Sequence, residues 1–507
     1  MNISKKILCL LLVALMSVSV LVACANDGNK PSGESGTKGD QETQGEAEAK
    51  LEVPDNLDYK EREFVVLTCP GENEATKLYW THFGVNEENG DTLNDGIYKA
   101  NRNTELYLNI KLVSNESAGL IDTSMYRQQV LNNDDSFQLA CWIDRFALEL
   151  AMDGLVTSVN ELDSESYVDL SKPWWYKTMN DTLSIDNKLY LAAGYMGIDL
   201  FGGMQLLLYN KQIATDNKLG ENEDGNLYSM VYNGTWTMEE MYRMMVTASK
   251  ELDGDGQRTE ADQWGCVSTG SIWFNNFSAC NGETIITKNS DDIPEFTAIG
   301  NERLYNIWQY VIENLTNKEY NFDHADTSSY GKGHTYENVV YMFMDNKALF
   351  VATTPMYLEM LNGSETDYGI LPFPKYEAVE KGTPYSSYTT GLVAHFAPIT
   401  ITDKDMVAAT METLNYQYYK VTIPAYVNKV LSVRQVRDDD SAEMLDMMIK
   451  NRALELGQTY WFEAVIAGAA NTVWTKGINV YTSTFQKNND KINAALQRTI
   501  DAFAKLG

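Results

Sequence analysis

The chain has 507 residues, 71 of them acidic against 40 basic, and a formal net charge of −31. A surface this acid-rich repels phosphate backbones and anionic headgroups, which excludes nucleic acid and broad membrane contact. The length exceeds the roughly 250–300 residues at which a single core stops growing, so two lobes are expected.

The first residues, MNISKKILCLLLVALMSVSVLVAC, place Lys5 and Lys6 before an apolar run and end in Leu21-Val22-Ala23-Cys24. This is the anatomy of an export signal, residues 1–23, closed by a lipobox whose Cys24 becomes the new N-terminus and takes a lipid anchor. A retained membrane span would need about 20 apolar residues. The mature chain is therefore expected to be extracytoplasmic and anchored to the cell membrane by its N-terminal lipid. Residues 24–58 are rich in Gly, Ser, Glu and Gln with almost nothing apolar, and read as a flexible tether. Outside the signal and lipobox lie Cys69, Cys141, Cys266 and Cys280. A Cys266–Cys280 disulfide and four buried free thiols are both compatible with that count.

The folded body opens with Glu63–Thr68, a short β-branched run suited to a buried strand. Asp91–Tyr107 follows as a helix with Leu93, Ile97, Ala100 and Leu106 on its apolar face. Leu108–Val113 reads as a strand, Met125–Asn132 as a helix and Phe137–Trp142 as a further strand. That alternation predicts an α/β sheet with its ligand site beyond the carboxyl ends of the strands. Further on, Thr237–Leu252 carries Met238, Met241, Met244, Met245 and Ala248 at helical spacing behind a Thr237/Glu240 capping box, a pattern read as core. Ser441–Leu456 and Asp490–Phe503 are predicted amphipathic helices.

Four segments carry a family resemblance. Gly225-Asn-Leu-Tyr-Ser-Met-Val-Tyr-Asn-Gly-Thr-Trp-Thr-Met-Glu-Glu-Met241 leads into a "W-T-x-(D/E)-(E/K)" helix, and Asp253-Gly-Asp-Gly-Gln-Arg-Thr-Glu-Ala-Asp-Gln-Trp-Gly265 is an acidic loop before a "(Y/W)-G" strand. Asn346-Lys-Ala-Leu-Phe-Val-Ala-Thr-Thr-Pro-Met356 is similar to a "G-K-A-A-M" strand, and Asp367-Tyr-Gly-Ile-Leu-Pro-Phe-Pro-Lys375 to a "Y-G-(I/V)-x-P-x-P" strand. In this order behind a lipobox, they resemble the bacterial family 1 extracellular solute-binding proteins, the carbohydrate-type substrate-binding lipoproteins of ABC transporters. The resemblance implies a two-lobed periplasmic-binding-protein fold of type II, each lobe a central sheet flanked by helices, with the ligand cleft between them. It assigns residues 59–193 and 388–445 to the amino lobe and 194–387 and 446–507 to the carboxyl lobe. It further implies a monomer that captures a mono- or oligosaccharide, delivers it to the permease subunits of an ABC importer, and has no catalytic activity. Thr353-Thr354-Pro355-Met356 departs from the pattern, because many sugar binders carry a tryptophan there.

The residues themselves suit such a ligand, since 30 Tyr and 10 Trp can offer ring faces to the C–H side of a pyranose while polar groups meet its hydroxyls. The candidates are Trp80, Trp142 with Asp144, Trp273 with Asn275 and Asn276, Tyr388, and Trp461. Trp461 leads because Tyr460-Trp461-Phe462-Glu463 resembles the aromatic segment of maltose-binding-type proteins, and it is expected to stack on a sugar opposite Trp142 and Asp144. Trp174 and Trp175 are read as structural.

Oxygen-bearing Asp253, Asp255, Gln257, Thr259 and Asp262 alternate along a glycine-containing loop, a pattern suited to a structural Ca²⁺ or to a solvated acidic loop. No catalytic cofactor is expected. The rival readings are a secreted carbohydrate-active enzyme, which would need two carboxylates flanking the sugar, and a binding protein for a non-sugar solute. The four histidines show no metal-type spacing.

Overall fold

The computed structural model describes residues 49–506 apart from 71–78, 118, 120, 163–166, 269–271, 324–334, 390–391 and 433–437, and the side chains of 272–274, 335–336 and 430–432 also fall outside it. The export signal, Cys24 and tether residues 25–48 thus lie outside the described residues, whereas Val53 near the end of the tether is buried against the body. Ala49–Gly507 is one compact unit. No described helix is long and apolar enough to cross a membrane.

In chain order the strands are β1 (Arg62–Thr68), β2 (Ile110–Glu116), β3 (Leu139–Ile143), β4 (Val156–Thr157), β5 (Leu206–Asn210), β6 (Trp264–Ser268) and β7 (Ile286–Lys288). They continue as β8 (Pro294–Phe296), β9 (Asn321–Asp323), β10 (Ala348–Thr353), β11 (Tyr368–Leu371), β12 (Ser387–Tyr388), β13 (Val393–Pro398) and β14 (Arg452–Ala453). The first sheet has the order β2-β1-β3-β13-β4 and the second β11-β5-β10-β6-β9, with β7-β8 and β12-β14 as separate pairs. In the first sheet β1 runs parallel to β2 and β3, whereas the late strand β13 runs antiparallel to β3 and β4. In the second, β6 is parallel to β9 and β10, and β5 is antiparallel to β10 and β11. The chain therefore completes most of the first sheet, crosses after β4 to build the second, and returns to insert β13.

Local sequence explains most of these elements. β1 buries Phe64, Val66 and Leu67, as expected of a parallel strand covered on both faces. The helix Thr92–Leu108 begins where the Asp91 side chain accepts from Leu93 N and Asn94 N, and it ends at Asn109 in the left-handed region. Its buried stripe is Leu93, Ile97, Ala100, Thr104 and Leu108. Leu106, placed on that face by the sequence reading, is 67 % exposed because it lies two residues after Thr104, about 200° round the helix from the buried stripe. The methionine face of Met238–Ala248 is entirely core, capped by the Thr237 hydroxyl accepting from Glu240 N at 3.2 Å.

Two expectations shift, and one question left open is answered. The helix predicted over Ser441–Leu456 spans Asp439–Lys450, and Arg452–Ala453 instead pairs with β12. The last helix begins at Tyr481, nine residues before the predicted start, and runs to Lys505. All four described cysteines are buried free thiols, so Cys266 and Cys280 are not bridged. Trp174 and Trp175 are structural as read: both indole N–H groups donate to the buried Glu412 carboxylate, each at 2.7 Å.

Candidate binding site at the junction of the two sheets

β3 ends at Ile143, and Asp144 opens the helix Asp144–Met152 at the carboxyl end of the strand. The Asp144 backbone N–H donates to Leu392 O at 2.8 Å, and its carboxylate accepts from Leu392 N at 3.2 Å and Arg145 N at 2.7 Å. One residue along the returning chain, Val393 N donates to Asp199 Oδ2 at 3.0 Å, Asp199 sitting in the short helix Ile198–Gly202. Two carboxylates from separate segments thus hold consecutive N–H groups at the start of β13. Both are buried, and burial pushes each carboxyl up to about 7 against the opposing pull of the N–H groups they accept from.

The other crossing segments converge here. Gln205 N donates to Tyr388 O at 2.8 Å, and the Ser387 hydroxyl donates to Gln205 O at 2.7 Å. Asn276 Nδ2 donates to Gln205 Oε1 and Asn275 Nδ2 to Gln458 Oε1, each at 3.4 Å. Arg452, at the start of β14, donates through Nη1 to Leu200 O and, at 2.8 Å, to Thr389 Oγ1. Nearby, Glu455 accepts from Ile285 N at 2.7 Å and Gly457 N at 2.9 Å, and burial raises it to about 7.

Hydrogen-bonding capacity is left over. Asp199 Oδ1, Asn275 Oδ1, Asn276 Oδ1, Tyr388 Oη and two nitrogens of Arg452 are buried without a partner among the described residues. Each such group costs about 1–3 kcal/mol when left unpaired, so their concentration at one junction marks a place where a polar ligand would be stabilising. The mixture of acceptors, a hydroxyl and a guanidinium matches the donors and acceptors of a polyhydroxylated molecule.

Asp144, Asn275 and Tyr388 from the sequence reading belong to this junction, as does Asn276. Trp80 is half-buried against the core. Trp142 is fully buried in β3, where alternation in a sheet covered on both faces turns it into core rather than toward an opening. Trp461 is 5 % exposed; its indole N–H donates to Thr499 Oγ1 at 3.1 Å and its ring meets Tyr460 edge-on. Both rings are thus buried, as are Tyr388 and Asn276 of the junction. The Trp273 side chain lies outside the described residues. The sequence reading missed Asp199, Gln205, Arg452 and Glu455; for Asp199 and Glu455 the available signal was a lone charge inside an apolar run, as in Gly197-Ile-Asp-Leu-Phe201 and Ala453-Leu-Glu-Leu-Gly457.

The acidic loop divides differently from its expected ligand set. The carboxylates of Glu251, Asp253 and Asp255 come within 4.8 Å of one another and are exposed. Asp262 instead clamps the loop, accepting from Leu252 N and Thr259 N, each at 2.8 Å. The Thr259 carbonyl is taken by the Trp264 indole N–H at 2.9 Å, and Gln257 N donates to Asp255 Oδ1 at 2.7 Å. Two of the five expected ligands are thus committed to holding the loop shut.

The buried acids set a pH dependence. Asp144, Asp199, Glu412 and Glu455 sit at about 7 in the folded protein, above the value near 4 of an unfolded chain. Between those values the folded state holds protons that the unfolded state has released, so stability falls as pH rises through the window and levels off above it. Urea unfolding should give a lower midpoint at about pH 8 than at about pH 5.5, by on the order of 1 kcal/mol or more in stability. A higher midpoint at the alkaline value would contradict the burial of these carboxyls.

No family model and no curated protein matches the chain. Solved structures do. An ABC substrate-binding protein from Listeria monocytogenes in complex with cycloalternan is 14 % identical, with a TM-score of 0.51 over 86 % of this chain and 99 % of that one. A sugar transporter protein from Rhizobium etli in an open conformation is 12 % identical, with a TM-score of 0.55 over 87 % and 98 %. The sugar-binding protein MalE from Xanthomonas citri is 11 % identical, with a TM-score of 0.53 over 87 % and 98 %. At such identities the likeness is one of fold: the chain has the two-lobed α/β periplasmic-binding-protein fold of these proteins.

Proposed function

We propose that this protein is a solute-binding protein that captures a mono- or oligosaccharide between its two sheets and delivers it to the permease of an ABC importer. The observation that carries the reading is the junction itself, where Asp199, Asn275, Asn276, Tyr388 and Arg452 keep unused hydrogen-bonding capacity in a buried setting. The shared fold supports it, because several proteins of that fold are sugar binders. Asp144 argues against a hydrolytic carboxylate pair with Asp199, because both of its oxygens accept backbone N–H groups.

The lipobox supports anchoring through Cys24 outside the cytoplasmic membrane, with the tether holding the body clear of the headgroups. Intact-mass analysis of membrane-derived protein should show a lipid-modified Cys24 at the N-terminus. An unmodified cysteine there would remove the anchor from the account.

Calorimetric titration against a panel of neutral and acidic mono- and oligosaccharides tests the function, with product analysis of the same mixtures. Binding without turnover is expected. Tyr388→Phe and Asn276→Ala should each weaken it on the order of tenfold, because each removes one hydrogen bond to the ligand while the folded protein persists. Release of a cleaved product would favour the enzyme reading, and undiminished affinity in both folded variants would move the site elsewhere.

A further inference from the structure

Arg452 faces a second space besides the junction. A pocket of about 260 Å³ is walled by Trp175, Tyr176, Tyr195, Lys177, Lys450 and Arg452 among others, where the segment 171–195 meets the end of the helix Asp439–Lys450. Its aromatic wall is built: Tyr176 and Tyr195 stack at 4.8 Å with an interplanar angle of 18°, and the Arg452 guanidinium lies 5.3 Å over the Tyr176 ring. Trp175 is fixed by its bond to Glu412.

The charges around it are unequal in their pairing. Lys177 pairs with Asp181 at 2.5 Å, Lys450 with Asp446 at 2.8 Å, and Lys172 with Glu52 at 2.6 Å, all at the protein surface. Arg452 differs. It is 4 % exposed, and among the described residues it forms no salt bridge and leaves Nε and Nη2 without a hydrogen bond of good geometry, its charge being felt by the buried Asp199. The Tyr176 hydroxyl beside it is likewise buried and interacts with the Arg452 guanidinium itself. A buried guanidinium with two idle N–H groups is strongly destabilising unless an anion meets it, and its planar fork fits a carboxylate with two parallel hydrogen bonds. In a chain of net charge −31 this is an aromatic-walled recess with a buried cation at its edge.

We propose that this pocket is a subsite for a carboxylate-bearing sugar ring, with the carboxylate on Arg452 and Tyr176 and the ring against the aromatic wall, so that the ligand is a uronate-containing saccharide. The inference rests on the saccharide-binding reading above and narrows it. A guanidinium already bonded to Leu200 O and Thr389 Oγ1 then links the subsite to the junction: pairing its remaining N–H groups would tighten the crossing segments together. The pocket lies just below the roughly 300 Å³ of common small-molecule sites, a size that suits one ring rather than a long chain.

The test is calorimetric titration of the wild-type protein with galacturonate, digalacturonate and glucuronate beside galactose, galactobiose and glucose, with inorganic sulfate as a bare anion. At least one uronate should bind tenfold or more tighter than its neutral counterpart and than sulfate. Arg452→Gln, checked for folding by its melting transition, should erase that preference. Neutral sugars binding as well as uronates would overturn the subsite and leave the proposed function standing. No binding by any saccharide would overturn both. Sulfate binding as tightly as the uronates would show an anion site without a sugar ring, and would also overturn the subsite. The wild-type comparison decides the matter even where Arg452→Gln does not fold.

Discussion

The strand that returns from the second sheet to the first enters a buried region, and its leading N–H groups are satisfied by carboxylates rather than by neighbouring backbone alone. Asp144 and Asp199 hold Leu392 and Val393, and each carboxylate comes from a segment on a different side of the crossing. Buried backbone groups must find partners, and where a chain changes sheets the regular ladder cannot provide all of them. Side chains do so here, at the cost of burying acids whose charged form water would otherwise favour. The raised carboxyl values of Asp144 and Asp199 are the direct consequence.

The same constraint gives the junction its chemistry. Once polar side chains are drawn in to hold the crossing segments, those with more hydrogen-bonding atoms than the backbone can use retain surplus capacity. Asp199 spends one oxygen on Val393 and keeps one; Arg452 spends Nη1 and keeps two nitrogens. Such surplus lowers stability in the empty protein, and natural proteins tolerate that at functional sites, where a local rule is broken for binding. A ligand that bridges segments from both sheets could then favour a closed arrangement, since it shifts an equilibrium only by what it gains in one state over the other.

The framework was legible in the sequence and the junction was not. β1, the helix Thr92–Leu108, β3 and the methionine helix all follow from periodicity and capping, because a buried stripe or an alternating strand repeats locally. Asp144 and Tyr388 are candidates from a strand end and from ring type, and the structure places both at the junction. Arg452 and Asp199 were missed because nothing periodic announces them: their burial is created by residues some 200 to 250 positions apart in the chain, such as the Arg452–Leu200 and Asp199–Val393 contacts. Trp142 and Trp461, expected in the cleft from their ring type, are buried for the complementary reason. A large ring fills a core as readily as it lines a cleft, and only tertiary packing decides which.

A crystal structure of the protein with a bound saccharide tests the central claim most directly. The account predicts ligand oxygens within about 3.2 Å of Asp199, Asn276, Tyr388 and Arg452, using the capacity left unpaired in the protein. A saccharide bound elsewhere, with those four side chains satisfied by other protein groups, would contradict it.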